Sequence, residues 1–277
     1  MNIGICSFSF HRLLAAGKQD IFQYIKDCKE LGCTQLDPWN AHLSVIRSGD
    51  AVIHAGHNPA ESNHLTAADE GYITEIKAAA DAVNMPFGCI AVDGAHIYEA
   101  DEQKRRDNRA RAYRWLDVAV KLQAKQIRVD AGGPPEMPAD VFAIIVEGYR
   151  DLIARARPLG IEILVENHWG PTNIPDNVTK LLTAVPGLGL LFDTNNWKPE
   201  LRETGWRQCA HLARYVHVKT FTFDDAGNDP TYNVAAAIQL VKASGYKGTW
   251  GIESVPKDGD EMTAARKTIA MIRRLAA

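Results

Sequence analysis

The stretch IEILVE, at residues 161–166, is a short apolar run that ends in a carboxylate. Three later stretches combine an apolar run with a polar residue at or near its end: LGLLFD at 188–193, YVHVK at 215–219 and TWGIE at 249–253. Their apolar residues are largely continuous rather than alternating, which is typical of parallel strands that are covered on both faces. The four stretches therefore predict four successive strands of a parallel sheet.

The same type of run occurs eight times along the chain. The predicted strands are Ile3 to Ser7, Thr34 to Asp37, Pro86 to Val92, Gln126 to Asp130, Ile161 to Glu166, Leu188 to Asp193, Tyr215 to Lys219 and Thr249 to Glu253. Amphipathic segments lie between them; Val141, Ile145 and Tyr149, for example, share one helical face. Glycines that suit left-handed helix ends precede four of the strands, at Gly32, Gly160, Gly187 and Gly245. Eight strands that alternate with about eight helices predict an α/β fold, a (β/α)8 TIM barrel, with residues 1–277 as a single domain.

A doubly wound sheet would show the same alternation of strands and helices. Its nucleotide-binding glycine signature is missing, because the GLG string at 187–189 opens a predicted strand instead of lying between a strand and a helix. The barrel is therefore the preferred architecture.

The composition is that of an ordinary globular chain. With 46% hydrophobic and 23% charged residues, it is neither disordered nor fibrous. A formal net charge of -3 provides no general attraction to nucleic acid or to an anionic membrane. The five cysteines have no C-x-x-C spacing, so reduced, buried thiols are expected, and no segment resembles a signal peptide or a membrane span. We expect a cytoplasmic protein without nucleic-acid or membrane partners; the sequence is compatible with a homo-oligomer.

The polar residues at the ends of the four stretches are Glu166, Asp193, His217 and Glu253. In a parallel barrel the carboxyl ends of the strands converge on one mouth, so these side chains are expected to meet there. Ionised carboxylates are costly to bury without a compensating positive charge. Three carboxylates and one imidazole suit a divalent cation; their negative surplus favours Mn²⁺ or Mg²⁺, and Co²⁺ or Zn²⁺ accept the same ligand types. The sequence thus predicts one divalent metal ion at the mouth.

The strings VENH at 165–168, FDTNNW at 192–197, HVK at 217–219 and GIES at 251–254, in this order and spacing, resemble the xylose isomerase-like TIM-barrel family of sugar isomerases and epimerases. That superfamily includes ketose 3-epimerases, hydroxypyruvate isomerase, inosose dehydratase and, more distantly, endonuclease IV. The resemblance extends over nearly the whole chain. It implies a TIM barrel that holds its metal through Glu166, Asp193, His217 and Glu253. It also implies that Glu166 and Glu253 are the catalytic acid/base pair, one on each face of the substrate.

The expected reaction is proton transfer at the carbon next to a carbonyl group. A divalent ion that bridges the carbonyl and hydroxyl oxygens of an α-hydroxyketone stabilises the enediolate formed on deprotonation, and carboxylates on opposite faces can remove and return the proton. We therefore expect a metal-dependent isomerase or epimerase whose partner is a small sugar or a related polyhydroxy carbonyl compound.

Two positions depart from the pattern of the ketose epimerases. Asn196 stands three residues after Asp193, where those enzymes place a histidine, and Thr220 follows Lys219, where the family has an aspartate. An amide can hydrogen-bond a hydroxyl group but cannot readily ligate a metal. Metal binding is thus better supported than epimerisation of any particular sugar.

Three alternative functions stay open. An enediolate with a leaving group on the next carbon expels that group, which would make the protein a lyase, either a keto-inositol dehydratase or a 3-keto-glycoside eliminase. An endonuclease IV-like DNA repair enzyme needs more strand-end histidines than this chain offers, and the basic residues at 104–114 interleave with acidic ones, as on a solvated helix face. A non-catalytic sugar-binding barrel would not need the complete ligand set.

Polar and aromatic residues near the strand ends are candidates for substrate binding. They are His168, Asn196, Lys219, Trp39, Asn40 and Trp197. Strand alternation places Lys219 on the same side as His217, and aromatic faces can pack against the C–H groups of a sugar.

One connection, from Pro38 to about Asp69, is too long for a simple turn. Connections of this length in compact domains are often lids or binding loops. This one contains His42, His54, His57 and His64, and the sequence does not assign them a role.

Overall fold

A computed structural model describes residues 1–44 and 62–276. Seven parallel strands form one sheet, and each overlaps a predicted strand. They are β1 (Asn2–Ile5), β2 (Cys89–Val92), β3 (Gln126–Val129), β4 (Glu162–Glu166), β5 (Gly189–Asp193), β6 (Ala213–Thr220) and β7 (Thr249–Ser254). Their order in the sheet is β1-β7-β6-β5-β4-β3-β2. The α/β barrel class is confirmed, and β4 to β7 are successive neighbours.

The eighth predicted strand, residues 34–37, closes the ring without becoming a regular strand. It makes isolated parallel bridges that connect it to Cys6, just after β1, and to Phe87, just before β2. The reason is local: Pro38 has no N–H to donate, and it restricts the backbone of Asp37. The prediction of a regular strand is therefore wrong for this segment, although its position between the two sheet edges is as expected.

The helices connect successive strands. In the described part of the chain they are α1 (His11–Ala15), α2 (Ile21–Glu30), α3 (Asn40–Leu43), α4 (Ala67–Ala82), α5 (Glu102–Leu122), α6 (Ala139–Ala156), α7 (Pro175–Ala184), α8 (Arg202–Cys209), α9 (Val234–Ala243) and α10 (Glu261–Ala276). Thr66 and Asp69 form a reciprocal capping box at the start of α4. The four glycines expected at helix ends all have left-handed backbone angles, with φ between 71° and 95°.

The interior of the barrel is a small layer of side chains, separate from the main core that joins strands to helices. It consists of Cys89, Leu164, Leu191 and Tyr215. Side chains two residues apart on a strand project to the same face. Glu166, Asp193 and His217 each follow one of these interior residues by two positions, so they lie in the next layer towards the mouth.

Strand register brings the polar strand ends side by side. Asp193 of β5 pairs with His217 of β6, and Lys219 of β6 pairs with Glu253 of β7. Neighbouring strands in a sheet are about 4.8 Å apart. Side chains at paired positions can therefore contact one another directly.

Two further expectations can be compared with the fold. All five cysteines are free and buried, as predicted. The basic residues of α5 are exposed or half-buried except Arg114, whose side chain is 3% exposed and lies 3.1 Å from Asp69; the solvated-face interpretation is wrong at that position, because α5 packs against α4 there. Among the described helices, none combines the length and the apolar character that a membrane span requires.

Candidate metal centre

Four side chains meet at the carboxyl ends of β4 to β7 and form what we call the ligand cluster: Glu166, Asp193, His217 and Glu253. Each offers a ligand atom that lies within 4.8 Å of the ligand atoms of the other three. All four residues are buried, and Glu253 is the most exposed at 6%. The four polar strand ends singled out in the sequence are therefore close neighbours in the fold.

The backbone around Asp193 fixes one of its carboxylate oxygens and leaves the other available. Its Oδ1 accepts hydrogen bonds from the backbone N–H groups of Asn195, at 2.6 Å, and Asn196, at 2.8 Å. The side chain of Asn167 exchanges two hydrogen bonds with the backbone of Asp193, at 2.9 and 2.8 Å. These contacts hold the end of β5 to the end of β4 and orient the second oxygen, Oδ2, towards the cluster.

A glycine makes room for the imidazole. Gly251 of β7 pairs with His217 of β6. A Cβ at position 251 would lie 2.9 Å from Cδ2 of His217 and 2.6 Å from the Tyr215 ring, closer than carbon atoms normally approach. The glycine in the TWGIE stretch therefore lets the His217 ring lie against β7, next to Glu253.

Three buried atoms of the ligand cluster make ion-pair contacts but no hydrogen bond within the described part of the chain: Glu166 Oε2, Asp193 Oδ2 and His217 Nδ1. Most buried polar atoms in folded proteins are hydrogen-bonded, so this concentration requires an explanation. Carboxylate oxygen and imidazole nitrogen are ligand types that Mn²⁺, Mg²⁺, Co²⁺ and Zn²⁺ accept. The residues present therefore fit a divalent ion.

The members of the cluster shift one another's pKa. Burial raises the pKa of Asp193 to about 6; Lys219 opposes this rise and Glu253 adds to it. Burial lowers the pKa of His217, but its contacts with Glu166 and Glu253 outweigh burial and raise that pKa to about 10. Its Nδ1 lies 3.5 Å from Glu166 Oε1 and 3.0 Å from Glu253 Oε2. A protonated His217 therefore balances the two glutamates, and a bound divalent ion would take over that charge.

Lys219 and Asn196 connect the two glutamates. The Lys219 ammonium lies 2.6 Å from Glu253 Oε1 and donates to Asn196 Oδ1 at 2.9 Å. The amide of Asn196 in turn donates to Glu166 Oε1 at 3.2 Å. Both residues, predicted as substrate-binding, thus lie against the ligand cluster and offer polar atoms beside it.

Arg128, in the middle of β3, belongs to the same site, although its position inside an apolar run gave no functional signal. Its Nε lies 3.0 Å from Glu166 Oε2; the angle is not that of a hydrogen bond, so the contact is an ion pair. Its Nη1 lies 2.6 Å from Asp93 and 3.3 Å from Asp130. Burial alone would raise the pKa of Glu166, but Arg128 and the neighbouring histidines lower it below its usual value. Counting back two positions from Asp130 along the strand would have placed Arg128 on the interior face.

His168 and Trp169 lie beside this charged group at a more exposed position. Both contact Asp130 Oδ2 at 3.1 Å, through His168 Nδ1 and Trp169 Nε1. Burial lowers the pKa of His168, but Asp130 and Glu166 outweigh it and raise that pKa to about 9. The His168 side chain is 33% exposed and Trp169 is 41% exposed, so a polar and an aromatic group are accessible next to the cluster.

A second set of possible ligands, Asp130, Glu166 and His168, also has atoms within 4.8 Å of one another. Here the guanidinium of Arg128 contacts both carboxylates and already supplies the positive charge. The ligand cluster is therefore the better candidate for a divalent ion than this set.

Three predicted substrate-binding residues are enclosed by protein. Trp39 is 1% exposed and donates to Asp93 through Nε1. Asn40 uses both ends of its amide on the backbone of Asp93. Trp197 packs in the main core against Phe192. Residues that follow a strand can turn back into the core as well as face the mouth, and a substrate role for these three stays a prediction.

The histidines of the long connection differ in position. His42 is buried, with Nδ1 3.0 Å from the Ser7 hydroxyl, and His64 is exposed just before α4. His54 and His57 lie outside the described residues.

In the comparison with protein families, the family model described as xylose isomerase-like TIM barrel matches residues 25–275. No curated protein matches the sequence.

Solved structures of similar fold include three enzymes. The 3-keto-D-glucoside 4-epimerase from E. coli has a TM-score of 0.68 at 17% identity, over 92% of this chain and 95% of that chain. D-psicose 3-epimerase from Clostridium cellulolyticum H10, solved with D-tagatose, has a TM-score of 0.69 at 14% identity, over 100% and 99%. A probable 3-DHS dehydratase from Bacillus anthracis has a TM-score of 0.69 at 14% identity, over 98% and 99%. At these identities the likeness shows a shared fold.

Proposed function

The chain belongs to the xylose isomerase-like TIM-barrel family, and on that basis we propose that it is a metal-dependent isomerase or epimerase of a sugar or a related polyhydroxy carbonyl compound. The proposed reaction removes a proton from the carbon next to a carbonyl group and returns it to the other face of that carbon or to its neighbour. The observation that carries the proposal is the ligand cluster: three carboxylates and an imidazole, buried together, with three atoms that have no hydrogen bond to any described residue.

All four residues of the cluster would hold the ion. Mn²⁺ or Mg²⁺ suits this oxygen-rich set best, and Co²⁺ or Zn²⁺ accept the same ligands. When bound, the ion would act as a Lewis acid and stabilise the negative charge that forms on the substrate's oxygens, a contribution of several kcal/mol.

Glu166 and Glu253 are the proposed acid/base pair. Glu166 is the last residue of β4 and Glu253 is the last but one of β7. These strands are separated in the sheet by β5 and β6, so the two glutamates approach the mouth from different directions. Arg128 contacts Glu166, and Lys219 contacts Glu253. These cations favour the ionised carboxylates, the form that removes a proton. One glutamate can then take a proton from one side of a carbon while the other returns it from the opposite side.

Groups around the cluster suit a substrate with several hydroxyls. Asn196, Lys219 and His168 offer hydrogen-bond donors, and Trp169 presents an exposed aromatic surface. Sugar chemistry is also supported by the names of the structural neighbours, which include a 3-keto-D-glucoside 4-epimerase and a D-psicose 3-epimerase solved with D-tagatose.

A lyase on the same site is the second candidate. The half-exposed His168, whose pKa is raised to about 9, is protonated at neutral pH. It can therefore give a proton to a departing hydroxyl or glycosyl oxygen. This would make the protein a keto-inositol dehydratase or a 3-keto-glycoside eliminase.

The test is turnover in D₂O. The purified protein, stripped of metal and reloaded with Mn²⁺, is incubated with ketoses, inososes and 3-keto-glycosides, and products are examined by NMR and mass spectrometry. An isomerase or epimerase should place deuterium at the reacting carbon, only when the metal is present. A product that has lost water or a glycosyl group would establish the lyase instead. An unlabelled product, or equal turnover without metal, would contradict the proposed proton transfer.

A further inference from the structure

Cys6 lies beside the ligand cluster at the end of β1. Its sulfur, a ligand nitrogen of His217 and a carboxylate oxygen of Glu253 all lie within 4.8 Å of one another. Cys6 thus shares two neighbours with the ligand cluster but lies on a different strand from the four residues already assigned.

The backbone fixes Cys6 in this position. β1 pairs with β7, so that Ile5 lies opposite Ile252, and the Cys6 N–H donates to the Ile252 carbonyl at 2.8 Å. The residue after Ile252 is Glu253. Cys6 is 2% exposed and belongs to a small buried cluster with Trp39 and Ala91, so its side chain is enclosed rather than free at the surface.

The second observation concerns His217. The residue is 1% exposed, and its Nδ1 forms an ion pair with Glu253 Oε2 at 3.0 Å but no hydrogen bond to any described residue. An imidazole nitrogen, a thiolate sulfur and a carboxylate oxygen are all established zinc ligands, with bond lengths of roughly 2.0 to 2.3 Å. Atoms that share one tetrahedral ion at such lengths lie roughly 3.3 to 3.8 Å apart, so the present spacing requires only a small approach.

We infer that Cys6, His217 and Glu253 form a second, sulfur-containing ligand set, which binds thiophilic divalent ions of the zinc type. It overlaps the oxygen-rich set in His217 and Glu253, and the inference rests on the metal site proposed above. Binding deprotonates the thiol: the S–H bond breaks, the sulfur–metal bond forms and the proton leaves to solvent. Softer ions are drawn to sulfur, whereas Mn²⁺ and Mg²⁺ favour oxygen.

The two sets would leave different side chains uncoordinated. An ion in the oxygen-rich set engages both glutamates, whereas an ion in the sulfur-containing set engages Glu253 but leaves Glu166 and Asp193 free. The identity of the metal would therefore decide which carboxylates remain available beside the substrate.

Cobalt is a suitable probe, because a thiolate ligand gives Co²⁺ a strong near-ultraviolet charge-transfer absorption that oxygen and nitrogen ligands do not give. The full-length, metal-free protein is titrated with Co²⁺ alone, alongside the variants Cys6→Ser and Cys89→Ser. Cys89 is the matched control, since it is also 2% exposed in the barrel but lies in the layer below the cluster. Thermal melting of the metal-free variants checks that each is folded.

The expected result is binding of Co²⁺ with the charge-transfer band in the native protein and in Cys89→Ser, and binding without the band in Cys6→Ser. The affinity of Cys6→Ser for Zn²⁺ should fall about tenfold or more, the scale of changes around metal sites, while its affinity for Mn²⁺ stays unchanged. Binding without the band in the native protein, or a band that survives Cys6→Ser, overturns this inference but leaves the oxygen-rich site intact. Absence of any Co²⁺, Zn²⁺ or Mn²⁺ binding overturns both proposals.

Discussion

The two sides of the barrel mouth differ in how far their buried charges are neutralised by ion pairs. On one side, at the ends of β2 and β3, Arg128 forms ion pairs with Asp93 and Asp130, and Trp39 and Asn40 hydrogen-bond Asp93. We call this the paired side. On the ligand side, at the ends of β4 to β7, three carboxylates have one cation from their own strands, Lys219, while Arg128 reaches Glu166 from the paired side. Three buried atoms of the cluster have no hydrogen-bond partner among the described residues.

This difference indicates a division of labour. The ligand side has a surplus of negative charge in a buried environment, which is where an added cation stabilises most. The paired side is largely neutralised from within, and through Arg128 it also supports Glu166. We therefore expect substitutions on the ligand side to change turnover and metal content, and substitutions on the paired side to change stability.

The largest effect is expected from Glu253→Gln. It removes a base and a charged ligand but little volume, so turnover should fall by about 10²- to 10⁴-fold and bound metal should decrease, while the fold is kept. Steady-state kinetics, elemental analysis and circular dichroism measure the three quantities. Glu162→Gln, at the opposite end of β4, is the control and should retain activity. Unchanged turnover and metal content in Glu253→Gln would remove the ligand side from the mechanism.

On the paired side, Arg128→Met should destabilise the metal-free protein by roughly 3–5 kcal/mol, because it leaves buried carboxylates without their partner. Arg128→Lys should fall between this variant and the native protein, since it keeps the charge but loses the planar fork. Urea unfolding measures both. Arg214→Met is the control: that side chain is 70% exposed and 3.8 Å from Glu162, so its effect should stay within about 0.5 kcal/mol. Equal losses in the two methionine variants would contradict the comparison.

The paired side should also be sensitive to acid through His42, whose ring lies against Trp39. Burial lowers its pKa to about 3, with Asp20 partly opposing. Between that value and about 6.5, the unfolded chain binds a proton that the folded protein does not, so stability is fully present above pH 6.5 and is lost as the pH falls. From pH 7.5 to 5 the loss should be about 2 kcal/mol. Urea unfolding at both pH values should show a smaller loss in His42→Gln than in the native protein. The exposed His64→Gln should behave like the native protein; an unchanged loss in His42→Gln would contradict the assignment.

The smallest effect is expected from His168→Asn, at the boundary between the two sides. Loss of one accessible hydrogen-bond donor should reduce kcat/KM by about tenfold, equivalent to ~1.4 kcal/mol, with little change in metal content. His211→Asn, in the turn before β6 at the amino end of the barrel, should have no effect. If His168→Asn instead lost its metal, His168 would belong to the ligand side.

The prediction of the fold depended on patterns that are local in the chain. Apolar runs and helix-ending glycines located seven strands, and Glu166, Asp193, His217 and Glu253 could be named because the end of each run was visible in the sequence. Segment 34–37 was less predictable as a strand. It lies between the two edges of the sheet, next to β1 and β2, and the following Pro38 limits regular pairing with both.

Other parts of the site could not be located in this way. Strand alternation can place Arg128 on the interior face, but its ion pairs with Asp93 and Glu166 depend on the register of neighbouring strands. The position of Cys6 beside His217 and Glu253 depends in the same way on the pairing of β1 with β7. Asn40 and Trp197 follow predicted strand ends, yet each is enclosed by protein. The direction of a chain leaving a strand depends on what it packs against, and neighbouring residues do not specify it.

The sequence by itself determined the alternation of strands and helices and the set of polar strand ends. Side chains two residues apart lie on the same face of a strand, and the strands are parallel, so their polar ends lie in one layer at the same mouth. Only the tertiary structure decided which charges are paired and which are left over. Electrostatic pairing depends on distances of 3 to 4 Å between residues far apart in the chain, and those distances are set by the register and closure of the barrel.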